Sequence, residues 1–292
     1  MQPTRVVEGF VRFRRYRTRY RDVGREESVA LVCLHGGPGS THWYFEPLEE
    51  LAHAGRRVVV YDQLGCGNSD RPHDDRLWTV ETFVDELDTL RVALGLDRIH
   101  LFGTSWGSML ALEYVLRGRR GLVSLNLNSP PTASSTWAAE AARLRDALPE
   151  HHRRALEEHA ENATHPDYVA AEEEFWRRHI CLVDPPPEFV RRGRAERGTQ
   201  VYRVLWGLSE WNPNGRLRDW DVRGRLSEID VPTLITSGRY DECTPALAEE
   251  AHRLIRASEW VLFEDSSHMA YVEEPERFRA VLSDFLARTE TA

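Results

Sequence analysis

The sequence predicts an α/β fold: a mostly parallel central sheet flanked by helices, with an inserted helical cap. Three observations carry this. Short apolar runs alternate with segments of helical spacing from about residue 30 to 128, the pattern of parallel strands covered by helices on both faces. The same alternation resumes over 231–286, and between the two blocks, over 133–220, no strand-like run occurs. The expected division is therefore a core formed by 1–132 and 221–292, with the cap at 133–220. A chain of 292 residues suits one α/β core of about two hundred residues plus such an insertion. With 41% hydrophobic and 29% charged residues, it can bury a large core and is not globally disordered.

Taken in order, Val11, Phe13, Tyr16, Thr18 and Tyr20 recur between the arginines that run from Arg12 to Arg25. This reads as a hairpin with a solvated cationic face. The run over 29–34 is continuously apolar, as in a strand buried on both sides. It empties into His35-Gly36-Gly37-Pro38-Gly39-Ser40, whose glycines let main chain approach a ligand closely. A helix over 43–54 and a strand over 57–62 follow, then the turn Asp62-Gln63-Leu64-Gly65-Cys66-Gly67-Asn68-Ser69. A helix over 80–94 stops at Gly95, a plausible C′ residue.

Next, the apolar strand over 98–102 runs into Gly103-Thr104-Ser105-Trp106-Gly107, and helical spacing follows over 108–116. Strand, sharp Gly-x-Ser-x-Gly turn and helix is the context of a nucleophile elbow. The alternative is a turn whose serine only caps the helix. A strand over 122–127 closes the first block, and amphipathic helices over 137–148, 151–159 and 168–179 make up the cap, broken by Pro149, Pro166 and Pro185-Pro186-Pro187. The second block holds a strand over 231–238, a helix over 246–256, a strand over 260–263 and a final helix over 275–286.

A serine nucleophile needs a base, and the base needs a carboxylate to fix its tautomer. Asp241 follows one late strand and His268 lies in the loop after the next. Separately, Asp241 reads as a helix cap and His268 as a surface histidine. Together with Ser105 they fall in the order serine, acid, histidine. The oxyanion formed on attack needs donors already in place. The main-chain N–H of Trp106, just after the serine, is one, and Gly37 of the glycine loop is the other.

Forty-seven acidic residues against thirty-eight basic ones, all arginine, leave a charge of −9, which argues against a nucleic-acid partner. Cys33, Cys66, Cys181 and Cys243 are too few and scattered for a disulfide framework. No secretory or membrane-spanning segment is evident, so a cytoplasmic location without a membrane partner is expected. His151, His152, His159, His165 and His179 match no zinc spacing. No metal and no cofactor are expected, and the oligomeric state is not legible.

His35-Gly36-Gly37-Pro38-Gly39, the turn from Asp62 to Ser69 and Gly103-Thr104-Ser105-Trp106-Gly107 together resemble the proline iminopeptidase family of α/β-hydrolases. Within that family the chain is most similar to the tricorn-interacting aminopeptidase branch. The likeness extends to Trp206-Gly207-Leu208-Ser209-Glu210-Trp211 and Arg218-Asp219-Trp220-Asp221. It implies the α/β-hydrolase fold, a triad of Ser105, Asp241 and His268, and oxyanion donors Gly37 and Trp106. It also implies that Glu210 and Glu242 bind the free α-amino group of the substrate. An ammonium removed from water needs opposite charge and acceptors, and two carboxylates supply both.

The implied activity is a serine aminopeptidase that releases an N-terminal residue, proline or another small apolar one, from short peptides or amino-acid amides through an acyl-enzyme. The rival is an amidase, esterase or acyltransferase acting on a specialised metabolite with the same triad. A non-catalytic receptor is a third possibility, opposed by the intact Ser, Asp and His. Two departures from the family pattern stand out: Ser108 in place of a second glycine and Leu64 in place of arginine. Trp43, Phe45, Trp206 and Trp211 are candidates for lining a ring-binding pocket.

Overall fold

Period-two alternation at the N-terminus forms a hairpin of β1 (Val6–Phe13) and β2 (Tyr16–Gly24), paired in antiparallel register from Val6 with Val23 to Phe13 with Tyr16. Its two-residue turn places Arg14 at φ 53°. This computed structural model describes residues 4–291. The continuous apolar runs become β3 (Ala30–Leu34), β4 (Arg57–Tyr61), β5 (Ile99–Thr104) and β7 (Thr233–Gly238), each buried at every position. With β6 (Leu122–Asn128) and β8 (Ser258–Phe263) they form one eight-stranded sheet in the order β1-β2-β4-β3-β5-β6-β7-β8. Pairing is parallel from β4 to β8, and the hairpin adds its strands antiparallel at the β4 edge.

Strand order reverses at β3, which has β4 on one side and β5 on the other. In an open α/β sheet the crevice outside the carboxyl ends of the strands at such a switch point is where ligands bind. The glycine loop after β3 and the serine turn after β5 both open into that crevice.

The helix expected over 43–54 is instead a composite. A short α1 (Glu46–Glu49) lies between 3-10 turns His42–Phe45 and Glu50–Ala54. The buried residues explain the tighter winding: Phe45, Leu48 and Leu51 recur every three positions, the period of a 3-10 helix. By contrast α2 (Val80–Ala93) is a regular amphipathic helix, with the Thr79 hydroxyl accepting the Thr82 N–H at 3.2 Å as its N-cap. Central to the molecule, α3 (Trp106–Leu116) is buried over almost all its length.

Between β6 and β7 the chain forms α4 (Ser134–Asp146), α5 (Glu150–Glu158), α6 (Pro166–His179), α7 (Glu188–Ala195) and α8 (Thr199–Leu205). The last two were not anticipated. An arginine-rich sequence hides the periodicity of α7, which buries only Val190 and Gly193. At Gly193 a Cβ would stand 2.8 Å from the Tyr44 ring, so glycine lets α7 settle on the core. The two ends of the insertion meet: Ala133 bridges Asp221, Ser134 N–H donates to Trp220 at 2.9 Å, and Val222 N–H donates to Thr132 at 3.0 Å. The chain then adds α9 (Pro245–Leu254), a short α10 (Ala270–Glu273) and α11 (Pro275–Glu290).

Among the described residues two apolar clusters flank the sheet, and a third, with Leu156, Tyr168 and Phe175, lies within the insertion. Of the first two, one gathers Trp78, Phe83, Trp106 and Leu110, and the other Phe45, Phe102, Tyr271 and Phe278. Phe102 contacts Phe45 and Phe278 edge-on with ring centroids 5.8 and 6.1 Å apart, the favoured aromatic geometry.

Candidate active site

The turn between β5 and α3 is as tight as its glycines suggest. An added Cβ at Gly103 would stand 2.2 Å from the Gly107 carbonyl oxygen, and one at Gly107 would stand 2.0 Å from that of Leu34. Ser105 sits between them at φ 56°, ψ −121° and makes no capping hydrogen bond, so the helix-cap alternative is excluded. A non-glycine residue at positive φ is strained and persists only where its surroundings over-determine it. Ser108 supplies part of that support. Its hydroxyl is shared between the carbonyls of Gly103 (2.8 Å) and Asn128 (2.9 Å), which ties α3 to the ends of β5 and β6.

Asp241 and His268 meet at the same edge of the sheet. His268 Nδ1 donates to Asp241 Oδ1 at 2.7 Å; the ionised carboxylate only accepts, so the proton lies on Nδ1. Asp241 Oδ1 also accepts the Cys243 N–H at 2.8 Å, and Oδ2 accepts the Ser129 hydroxyl at 2.6 Å. Ser129, like Ser105, has a positive φ, 51°. Burial opposes the imidazolium, but the charge and hydrogen bond of Asp241, with Glu210 and Glu273 behind them, outweigh it and hold the His268 pKa above its ordinary value.

No hydrogen bond joins the Ser105 hydroxyl to His268 among the described residues. Asn128 links the two instead: its carbonyl accepts the Ser105 N–H at 3.1 Å and its side-chain amide donates to the His268 carbonyl at 3.1 Å. Contacts between nucleophile and base are commonly long before substrate arrives.

The glycine loop passes directly over the serine: a Cβ on Gly36 would stand 3.2 Å from Ser105 Cβ. Gly37 lies beside it at φ 108°. Among the described residues its N–H has no partner outside the regular elements, and Trp106 is the first residue of α3, where an N–H has no acceptor within the helix. A buried network ties the strands that carry these two N–H groups. The Gln63 amide donates to the His35 carbonyl at 3.1 Å and accepts the Trp106 indole N–H at 2.9 Å. His35 donates from Nδ1 to Gly36 O at 3.0 Å and accepts the Gln63 N–H on Nε2 at 3.0 Å. Burial lowers its pKa to about 4, so it stays neutral. Leu64 is wholly buried, and its N–H meets the Glu86 carboxylate at 3.0 and 3.1 Å.

A narrow cleft lies above the serine, lined by Gly37, Ser105 and Trp106 from the core and by Trp137, Trp206 and Glu210 from the insertion. Glu210 accepts the Tyr202 hydroxyl at 2.6 Å. Glu242 is buried, its Oε1 lies 3.9 Å from His268 Nε2, and its Oε2 has no partner among the described residues. Burial, only partly offset by Tyr202, raises the Glu210 pKa. Burial, then the charges of Glu210 and Asp241, push Glu242 well above the usual carboxylate range.

Of the four aromatic candidates Trp206 alone lines this cavity. Phe45 belongs to the core, Trp43 donates to Glu196 and lies under Arg192, and Trp211 packs on Phe175. Trp137, whose ring meets His268 edge-on at 6.0 Å, was missed, as were Tyr202, Ser129, Asn128 and Glu273. None of these has a local signature: Trp137, Ser129 and Asn128 act through partners distant in sequence, and Tyr202 and Glu273 meet nearer partners only where the fold turns the chain back. His159, His165 and Asp167 do gather at the α5–α6 turn with potential ligand atoms within 4.8 Å of one another, but His165 already accepts the Asp167 N–H as a helix cap. All four cysteines are free and buried, and no described helix is long and apolar enough to cross a membrane.

Comparison with known proteins accords with this geometry. Residues 29–275 match the family model of the alpha/beta hydrolase fold. The proline iminopeptidase of Lactobacillus acidophilus is 45% identical over 288 residues, covering 96% of this chain and 98% of that protein. Among solved structures, VinJ superposes with a TM-score of 0.93 at 38% identity, over 97% of this chain and 99% of that one. The proline iminopeptidase of Mycobacterium smegmatis does so with a TM-score of 0.90 at 37% identity, over 98% and 99%. With its strand order, its serine turn and these relatives, the chain belongs to the proline iminopeptidase family of α/β-hydrolases.

Proposed function

We propose that this chain is a serine aminopeptidase that releases a single N-terminal residue, proline or another small apolar one, from short peptides or amino-acid amides. Ser105 Oγ attacks the carbonyl of the first residue while His268 Nε2 takes its proton, and Asp241 holds the Nδ1–H and stabilises the imidazolium. The N–H groups of Gly37 and Trp106 receive the oxyanion. His268 then protonates the departing amine, and water, activated by the same imidazole, hydrolyses the acyl-enzyme.

The observation that carries this reading is the pair Glu210 and Glu242. A buried carboxylate with an unpartnered oxygen, Glu242, and a half-buried one beside it, Glu210, are costly unless a cation joins them. A substrate ammonium supplies that charge. Its distance from the first carbonyl is set by one α-carbon, which places the first peptide bond at Ser105. The small cavity suits a compact first side chain. Four reduced, buried thiols accord with a cytoplasmic setting.

The test compares hydrolysis of prolyl and alanyl anilides with that of their N-acetylated forms. The free amines should be preferred by at least about a hundredfold, since removing the charge leaves buried carboxylates unpaired. Equal cleavage of the acetylated forms would favour an amidase or esterase.

A further inference from the structure

The loop that carries His268 is held largely from outside the triad. Ser267, the residue before the base, is fully buried. Its N–H donates to Glu273 Oε2 at 2.6 Å and its hydroxyl to Glu273 Oε1 at 2.6 Å. The same Oε1 accepts the N–H of Leu182 at 2.5 Å. Leu182 belongs to the stretch just after α6, in the insertion. Three residues earlier, at the end of α6, the His179 carbonyl accepts both the His268 N–H (3.3 Å) and the Glu242 N–H (3.2 Å), and the His179 ring meets the Tyr240 carbonyl at 2.9 Å. One short segment of the cap therefore touches both loops that supply the acid and the base. A single carboxylate closes the connection.

We propose that Glu273 is a positioning residue for His268: its carboxylate gathers both polar groups of Ser267 and the Leu182 N–H, so that the cap segment and the loop carrying the base move as one piece. This rests on the assignment of His268 as the base of Ser105. Glu273 contacts neither substrate nor the reacting atoms. It sets the height of the base loop, and its negative charge is among those that favour the imidazolium. A purely structural carboxylate would do neither. Burial keeps the Glu273 carboxyl above the ordinary glutamate range, even against its three donors, so the arrangement is kept despite a cost of desolvation. The seat also demands reach. Aspartate is one methylene too short to span from α10 to both Ser267 and Leu182, and glutamine brings an amide donor into a ring of donors.

The experiment measures kcat and KM for prolyl anilide across pH, and the pH dependence of fluorophosphonate labelling at Ser105, in the wild type, Glu273→Gln, Glu273→Asp and Ser267→Ala. Misplacing the base by a fraction of an ångström to an ångström costs up to about a hundredfold in rate. Glu273→Gln should lose roughly ten- to a hundredfold in kcat with KM changed less than about threefold. Its acid limb should move to lower pH, because a charge favouring protonated His268 has gone. Glu273→Asp should lose kcat while keeping the limb near its wild-type position, and Ser267→Ala should lose several-fold with no shift.

Wild-type kcat and an unmoved limb in folded Glu273→Gln would overturn the proposal, as would a loss confined to KM. Should Glu273→Gln not fold, Glu273→Asp and Ser267→Ala decide the matter: lowered kcat at constant KM supports it, and unchanged kcat overturns it. Failure of the wild type to label at Ser105, or turnover that survives Ser105→Ala, would instead remove the triad assignment itself.

Discussion

On the core side of the cavity, position is set by main chain; on the cap side, by side chains. Ser105, Gly37 and Trp106 are held where neighbouring carbonyls leave no room for a single added carbon at Gly103 or Gly107. Across from them, Glu210 is held by the Tyr202 hydroxyl with the Trp137 indole turned toward it, and among the described residues the buried indole N–H of Trp206 has no partner. On the function proposed above, the difference separates two tasks. Attack and oxyanion stabilisation need donors that do not reorganise as charge develops, which a crowded backbone provides. Recognition needs polar groups left waiting for a ligand, which side chains on an inserted segment provide.

The sharpest way to break that contrast is Gly107→Ala. Its Cβ would overlap the Leu34 carbonyl oxygen at 2.0 Å, so the turn must open. The expected loss is about 3 kcal/mol or more of stability and at least roughly a thousandfold in kcat/KM, read by urea unfolding and turnover. A fully active Gly107→Ala enzyme would show that the core side is as adaptable as the cap side.

Glu242→Gln tests the recognition side. We expect KM for a free-amine anilide to rise about ten- to a hundredfold, with kcat far less affected. The pH dependence follows from the raised pKa values of Glu210 and Glu242. A carboxyl whose pKa is raised gains its proton earlier as pH falls, and the protonated form no longer attracts an ammonium. Wild-type KM should therefore climb on acidification at pH values where an ordinary glutamate is still ionised. In Glu242→Gln that climb should be shallower. A steep, unchanged climb would place the amine elsewhere.

The smallest effect is expected from Ser108→Gly. It removes the hydroxyl shared by Gly103 and Asn128 and adds a helix glycine, together costing about 1–2 kcal/mol and a few degrees in Tm. Activity should stay within a few-fold, because Gly103 and Gly107 still define the turn. A large loss of kcat would mean that the elbow rests on this one hydroxyl.

Much of the fold was legible because its signals are local. Continuous apolar runs marked the buried strands, and glycines bracketed Ser105. The strand ends before Asp241 and His268 were visible in the same way. The winding of 42–54 was misread because a three-residue burial period resembles a helical one over so short a stretch. The arginines of α7 concealed a helix that touches the core mainly through Val190 and Gly193. Glu210 and Glu242 came from the family likeness, since a glutamate in sequence carries no sign of its burial.

By itself, the sequence determined the order of the strands and of most of the helices, the tight serine turn and the identity of the groups available for chemistry. Periodicity and steric limits at glycine act over a few neighbouring residues and need no other part of the chain. Only the tertiary structure decided that Ser129 donates to Asp241, that Glu273 holds Ser267 beside His268, and that Glu242 is buried with one oxygen unpartnered among the described residues. Hydrogen bonds and desolvation depend on what packs from distant segments, and no local pattern encodes that sum.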